Sequence, residues 1–244
     1  MPVRKIPRKR LSVTGVINEK FLTSELNGES YLELDFYNVV AFDSTVKIAE
    51  DQPLCIEYLD NDSTLRAYTL DTKIIFKDYK SKSLLIEVKF LRDLIENKDV
   101  YKRKFEAAIW YSTQNSYEYR ILSDFDIRTS YLKNAIFFRP YRTRSVDGEI
   151  DSKVEHILKE EKISTPNRII EILKKEVEKV RVIASMWRLI SVGEICTDLM
   201  KLVTMDSDIK PGESKGFFQN LEPQIISTNT KSKLLDAGID YQIN

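Results

Sequence analysis

The sequence predicts a mixed α/β domain followed by a smaller, helical, winged-helix-like domain. Three observations carry that expectation. Apolar segments of strand length alternate with helix-period stretches over residues 21–145. A polar, aperiodic stretch with an Asp147-Gly148 turn then marks a boundary. Beyond it, over residues 146–222, three helical stretches precede a β-prone segment, the order of a winged-helix or helix-turn-helix module. Residues 1–20 read as a basic arm, and residues 223–244 as a mobile polar tail.

The arm carries Arg4, Lys5, Arg8, Lys9 and Arg10 with no acid among its first ten residues, while Pro2 and Pro7 resist helix formation. Phosphate contact and simple solubilisation both fit it. The first helix is expected over residues 29–40, after the Asn27-Gly28 turn, with Leu32, Phe36, Val39 and Val40 in one apolar stripe. Strands follow at 46–49, 55–59 and 65–76, the last two joined by a hairpin loop at Asp60-Asn61-Asp62. The turn at 78–81 leads to an apolar strand at 84–90. A helix at 101–113 and a strand at 117–122 complete the series, and residues 134–138 fit strand or helix equally well.

In the second part Val154, Ile157 and Leu158 mark one helix. Ser164-Thr165-Pro166 starts another, bearing Ile169, Ile170, Ile172 and Leu173. A third spans 180–189 with Trp187, a fourth is expected at 195–200, and 202–205 is β-prone before the Pro211-Gly212 turn.

Composition narrows the chemistry. The 244 residues hold 38 Lys plus Arg and 38 Asp plus Glu, a net charge of zero, so a protein that coats nucleic acid by bulk charge is excluded. No apolar run reaches the roughly 18–20 residues of a membrane span, and no apolar segment of signal-peptide type follows the basic start. The expected location is therefore the cytoplasm. Cys55 and Cys196 offer no disulfide framework and read as small buried hydrophobes, and Trp110 and Trp187 read as core residues. His156, the single histidine, is expected on a solvated face, so any metal must be held by oxygens, which favours magnesium or manganese.

Glu33, Asp71, Glu87 and Lys89 form the constellation with chemical promise. If the strands flanking the 78–81 turn pair as a hairpin, Asp71 falls opposite or nearly opposite Glu87. Glu87 and Lys89, two apart, share a face of an otherwise apolar strand. Two converging carboxylates with a lysine alongside suit a magnesium-dependent phosphodiesterase. An ordinary cross-strand ion pair explains the same three residues, and Ser30-x-x-Glu33 also fits a helix capping box. Lys98, Lys102, Arg103 and Lys104 fit either a solvated helix face or a DNA-backbone contact.

The order helix glutamate, Asp71, then Glu87-x-Lys89 resembles the PD-(D/E)xK nuclease signature. More specifically the chain resembles the TnsA family of transposon endonucleases, over roughly residues 20 to 220. The resemblance rests on 29–33 (ESYLE), 41–46 (AFDSTV), 50–53 (EDQP), 68–71 (YTLD) and 86–89 (IEVK), and in the second part on 193–199 (GEICTDL) and 202–206 (LVTMD). Leu70 stands where many relatives have proline. The resemblance implies a restriction-endonuclease-like mixed sheet flanked by helices. It implies that Asp71 and Glu87, with the Val88 carbonyl, hold one Mg2+ (Mn2+ substituting), that Glu33 holds a second ion or orients its water, and that Lys89 is catalytic. It further implies cleavage of the 5′ strands at the double-stranded ends of a transposon, alongside a TnsB-type transposase and a TnsC-type AAA+ ATPase. Other classes fit the residues less fully: a non-catalytic DNA-bridging subunit, or a stand-alone restriction or resolvase nuclease.

Overall fold

The computed structural model describes residues 15–17, 26–28 and 30–243. Arg4, Lys5, Arg8, Lys9 and Arg10 of the expected basic arm lie outside the described residues. The chain divides into two compact units, Met1–Arg128 with Leu221–Asn244, and Thr129–Asn220. The division therefore falls at 128/129, ahead of the 145/146 boundary expected from the polar stretch.

In the first unit, β1 (Gly15–Ile17) and β2 (Leu26–Gly28) pair antiparallel. Helix α1 (Tyr31–Phe42) starts at Ser30, whose hydroxyl accepts the Glu33 amide, and it buries Leu32, Phe36, Val39 and Val40. Next come β3 (Val46–Asp51), β4 (Cys55–Leu59), β5 (Leu65–Thr69), β6 (Thr72–Phe76) and β7 (Leu84–Val88). Helices α2 (Leu91–Glu96) and α3 (Lys98–Gln114) cross over to β8 (Glu118–Leu122), and α4 (Asp124–Ile127) follows. A four-stranded sheet has the order β3-β6-β7-β8. Its first two pairings are antiparallel and β7–β8 is parallel, which is why a helical crossover is needed there.

The expected strand 65–76 is broken at Leu70-Asp71. Opposite the break, Gln52, Pro53 and Leu54 interrupt the partner strand, with the Gln52 amide donating to the Asp71 carbonyl (2.8 Å) and the Leu70 amide to the Leu54 carbonyl (3.1 Å). Pro53 has no amide proton for a ladder. On one side of the bend β3 and β6 belong to the sheet; on the other β4 and β5 form a separate hairpin. Helix α3 packs on β4 and β8, and a buried cluster on that side joins Tyr68, Leu70, Leu85, Phe105, Ala108, Tyr119 and Ile121. Helix α1, which contributes nothing to that cluster, packs on β3 and β7.

The C-terminal segment, expected as a mobile tail, is folded into the first unit. The Ile121 amide donates to the Ile225 carbonyl (2.8 Å) and Ile226 bridges Ile121 in parallel. Arg120 reaches the carbonyls of Glu222 and Gln224. The segment looks polar because its apolar residues, among them Ile225, Ile226, Leu234 and Tyr241, come singly or in pairs between polar stretches and follow no helix or strand period. They are nevertheless the residues that join the cluster, and the Tyr241 ring lies 5.5 Å from that of Phe105.

The second unit holds α5 (Ser130–Phe138), a 3₁₀ turn (Arg139–Tyr141), α6 (Gly148–Glu161), α7 (Pro166–Leu173) and α8 (Lys179–Val192). Then come β9 (Ile195–Cys196), β10 (Lys210–Pro211), α9 (Phe217–Asn220) and, back in the first unit, α10 (Thr228–Asp236). The undecided segment 134–138 is thus helix. Phe137 and Phe138 both pack edge-on against Trp187 of α8, and the Asn134 amide holds the Leu199 and Lys201 carbonyls, which ties α5 to this unit. Gly193 ends α8 at φ 84°, a left-handed stop that a glycine adopts without strain. The expected helix at 195–200 is instead β9 and a turn, and 202–205 forms no strand. Side chains explain this: the Thr197 amide donates to the hydroxyl of Ser214, 17 residues on, and Asp198 Oδ1 accepts the Met200 amide, offering the backbone an alternative to helix. Over the span 146–222 expected to be winged-helix-like, three helices, α6, α7 and α8, precede the short antiparallel pair β9–β10. The third of them, α8, is buried along Ser185–Ser191, so it is a core helix with no exposed reading face there. Among the described residues no helix is long and apolar enough to cross a membrane.

Candidate active site

The β6–β7 register pairs Thr72 with Ile86, so Asp71 stands one step beyond, level with Glu87. The bend at Leu70-Asp71 frees Asp71 from the ladder. Its carboxylate takes the next ladder donor instead: Asp71 Oδ2 accepts the Val88 amide at 2.8 Å. The same oxygen accepts from Lys89 Nζ at 3.0 Å. Lys89 Nζ also lies 2.6 Å from Glu87 Oε1 and 3.1 Å from the Val88 carbonyl. Glu87 is 1% exposed, and its other oxygen, Oε2, accepts from the Tyr68 hydroxyl. The hairpin geometry expected from the spacing is present. An exposed, water-screened cross-strand ion pair is not what it makes, because Glu87 lies inside the sheet.

Burial pushes the Glu87 carboxyl up, and the neighbouring Asp71 charge pushes it further, to about 7, against the opposing pull of Lys89 and Tyr68. For Lys89, burial favours the neutral amine, but Asp71 and Glu87 outweigh it and hold the ammonium well above its usual range. Two carboxylates and one ammonium leave the cluster electron-rich. The ammonium marks a point on which three oxygens from three residues converge: Asp71 Oδ2, Glu87 Oε1 and the Val88 carbonyl. All three are hard donors of the type magnesium and manganese take, so the residues fit such an ion. Among the described residues no three Asp, Glu, His or Cys side chains gather closely enough to hold a metal, and the third oxygen here is a main-chain carbonyl.

Glu33 is not among the oxygens gathered on Lys89. Its Oε1 accepts from the Ser30 hydroxyl at 3.1 Å while Ser30 accepts the Glu33 amide at 3.2 Å, so it serves the helix start. It is also electrostatically close to the site. The Tyr37 hydroxyl, which contacts Thr72 at 3.4 Å, is raised by its burial and then by Glu33, Asp71 and Asp51 together.

Of the basic candidates on α3, Lys102 is exposed, and Arg103 binds Asn61 and Glu106 at 3.0 Å each. Lys104 sits over the rings of Tyr68 (5.8 Å) and Tyr101 (5.6 Å). Sequence reasoning missed the tyrosines. Tyr68 and Tyr119 are buried with their hydroxyls 3.4 Å apart, and a buried phenol must find a partner, but nothing in the spacing says that Glu87 is that partner. Trp110 is 65% exposed on the outer face of α3, against the expected core position, whereas Trp187 is buried. Cys55 is exposed on the outer face of the β4–β5 hairpin, also against expectation, and Cys196 is half-buried. His156 is exposed, 3.3 Å from Glu160.

Residues 43–124 match the family described as TnsA-like endonuclease N terminal. The matched stretch contains Asp71, Glu87, Val88 and Lys89 and ends before the second unit; Glu33 lies ahead of it. No curated protein matches the chain.

Proposed function

We propose that this chain, with its TnsA-like endonuclease segment as the working part, is a metal-dependent DNA endonuclease. It cuts the 5′ strands at transposon ends in a complex with a TnsB-type transposase and a TnsC-type ATPase. The observation that carries the reading is the convergence of Asp71 Oδ2, Glu87 Oε1 and the Val88 carbonyl on one cationic point.

Asp71, Glu87 and the Val88 carbonyl would hold Mg2+ or Mn2+, which when bound supplies an activated water and charge neutralisation at the phosphate. The Val88 amide keeps Asp71 aimed at the site. Lys89, released from its two carboxylates, presents its ammonium to the negative charge that builds on the scissile phosphate. Glu33 orients water from the helix α1 side or holds a second ion. Lys102 and Lys104, with the basic N-terminal arm, contact the DNA backbone.

The test is strand-resolved cleavage of a DNA carrying the native element's end, with magnesium, the cognate transposase and the ATPase. Asp71→Ala should lose the 5′-strand cut and retain the 3′ cut, with its fold intact. A normal 5′ cut in that variant refutes the assignment. A wild-type complex that cuts only 3′ strands makes the protein a bridging subunit. Cutting by the chain alone at a short sequence or a four-way junction makes it a stand-alone nuclease.

A further inference from the structure

We infer that Tyr68 is a positioning residue: its hydroxyl fixes the plane of the Glu87 carboxylate, so that one oxygen faces the cation shared with Asp71 and the Val88 carbonyl while the other stays hydrogen-bonded inside the protein. The inference rests on the metal-dependent reading above and adds to it the residue that sets the ligand's orientation. Glu87 is 1% exposed, so each of its oxygens needs a partner within the protein. Oε1 has Lys89, and Oε2 has Tyr68. When Lys89 turns to a phosphate, Tyr68 is the contact that remains. Without it the terminal torsion of Glu87, which is broad, lets the carboxylate plane swing, and the outward oxygen is left buried without a donor.

Tyr68 is itself held in place. It sits on β5 opposite Ile56, at the end of the hairpin nearest the bend, and is 7% exposed. Its hydroxyl lies 3.4 Å from that of Tyr119, and the Lys104 ammonium covers its ring. Tyr119 bonds Tyr68 rather than Glu87, so the two phenols are neighbours in the same buried cluster with different relations to the ligand. Loss of the Tyr119 hydroxyl therefore reports on general loosening of the cluster, and loss of the Tyr68 hydroxyl reports on the carboxylate.

The experiment titrates Mn2+ into the full chain without DNA, reading free Mn2+ by its paramagnetic resonance signal. Wild type, Tyr68→Phe, Tyr119→Phe and Asp71→Ala are compared, with thermal melts alongside. Both phenylalanine variants keep the ring and its packing. Tyr68→Phe should weaken Mn2+ binding by about 10–100-fold, the usual effect of removing a hydrogen bond that orients a metal ligand. Tyr119→Phe should change it far less, and Asp71→Ala should abolish it. Wild-type affinity in Tyr68→Phe overturns the inference, as does an equal loss in Tyr119→Phe. If wild type binds Mn2+ and Asp71→Ala does not, while Tyr68→Phe is unaffected, only the role of Tyr68 falls. If wild type binds no Mn2+, the metal-dependent reading falls with it.

Discussion

Glu87 keeps its carboxyl inside the sheet with Asp71 beside it, and folding therefore raises its pKa from the ordinary 4.5 to about 7. The sign of the pH effect follows. Below 4.5 both the folded and the unfolded chain hold the proton. Between 4.5 and about 7 the unfolded chain loses it and the folded chain keeps it, so stability falls as pH rises across that window. The span corresponds to on the order of 3 kcal/mol at most. Denaturant melts of metal-free wild type and Glu87→Gln should diverge over this range, with the neutral glutamine variant nearly flat; parallel profiles would count against it. Added Mn2+ should offset the wild-type loss above pH 7, because it binds the ionised folded form. Asp71, Glu87 and Lys89 were legible because a period of two and one hairpin turn suffice to place them together. Tyr68 was not, because its contact depends on where a second hairpin folds, and no local pattern encodes that.

Helix α1 and most strands were legible from apolar spacing, which is a local property. The break in the strand at 65–76 was not: buried and half-buried positions keep alternating through it over residues 68–74, and the partner strand is interrupted across the ladder at Pro53. Leu70 sits at that break, fully buried in the cluster with Leu85 and Phe105. Leu70→Ala should cost about 2–5 kcal/mol in chemical denaturation. Trp110 and Trp187 show the same limit. Both occupy helical spacing, yet Trp110 lies on the outer face of α3, between the buried Ala108 and Ser112, whereas Trp187 lies on a largely buried stretch of α8 against Phe137 and Phe138. In the 195–200 segment, the hydroxyl of the distant Ser214 and the segment's own Asp198 carboxylate take backbone amides and override helix propensity.

The first unit is built from two stretches of chain, with the second unit inserted between them. Sequence patterning missed this, because the returning segment pairs by main-chain contact at Ile121 and by scattered apolar residues rather than by a periodic face. Removing residues 221–244 should strip the Ile225 acceptor from β8 and leave the Asp126 carboxylate without its Thr230 and Ser227 donors. Hydrogen exchange should then show β8 amides losing most of their protection, whereas intact protection would mean that the segment is a passive cover. This discontinuity has a consequence during synthesis. Domains usually fold in order as they leave the ribosome. Here the nuclease-like unit, though it begins first, waits for the inserted unit to be made before residues 221–244 can close it. A message broken anywhere between the two stretches would yield a polypeptide carrying Asp71, Glu87 and Lys89 but lacking the segment that secures the sheet around them. A fold wired this way is assembled only from a transcript read through both of its units.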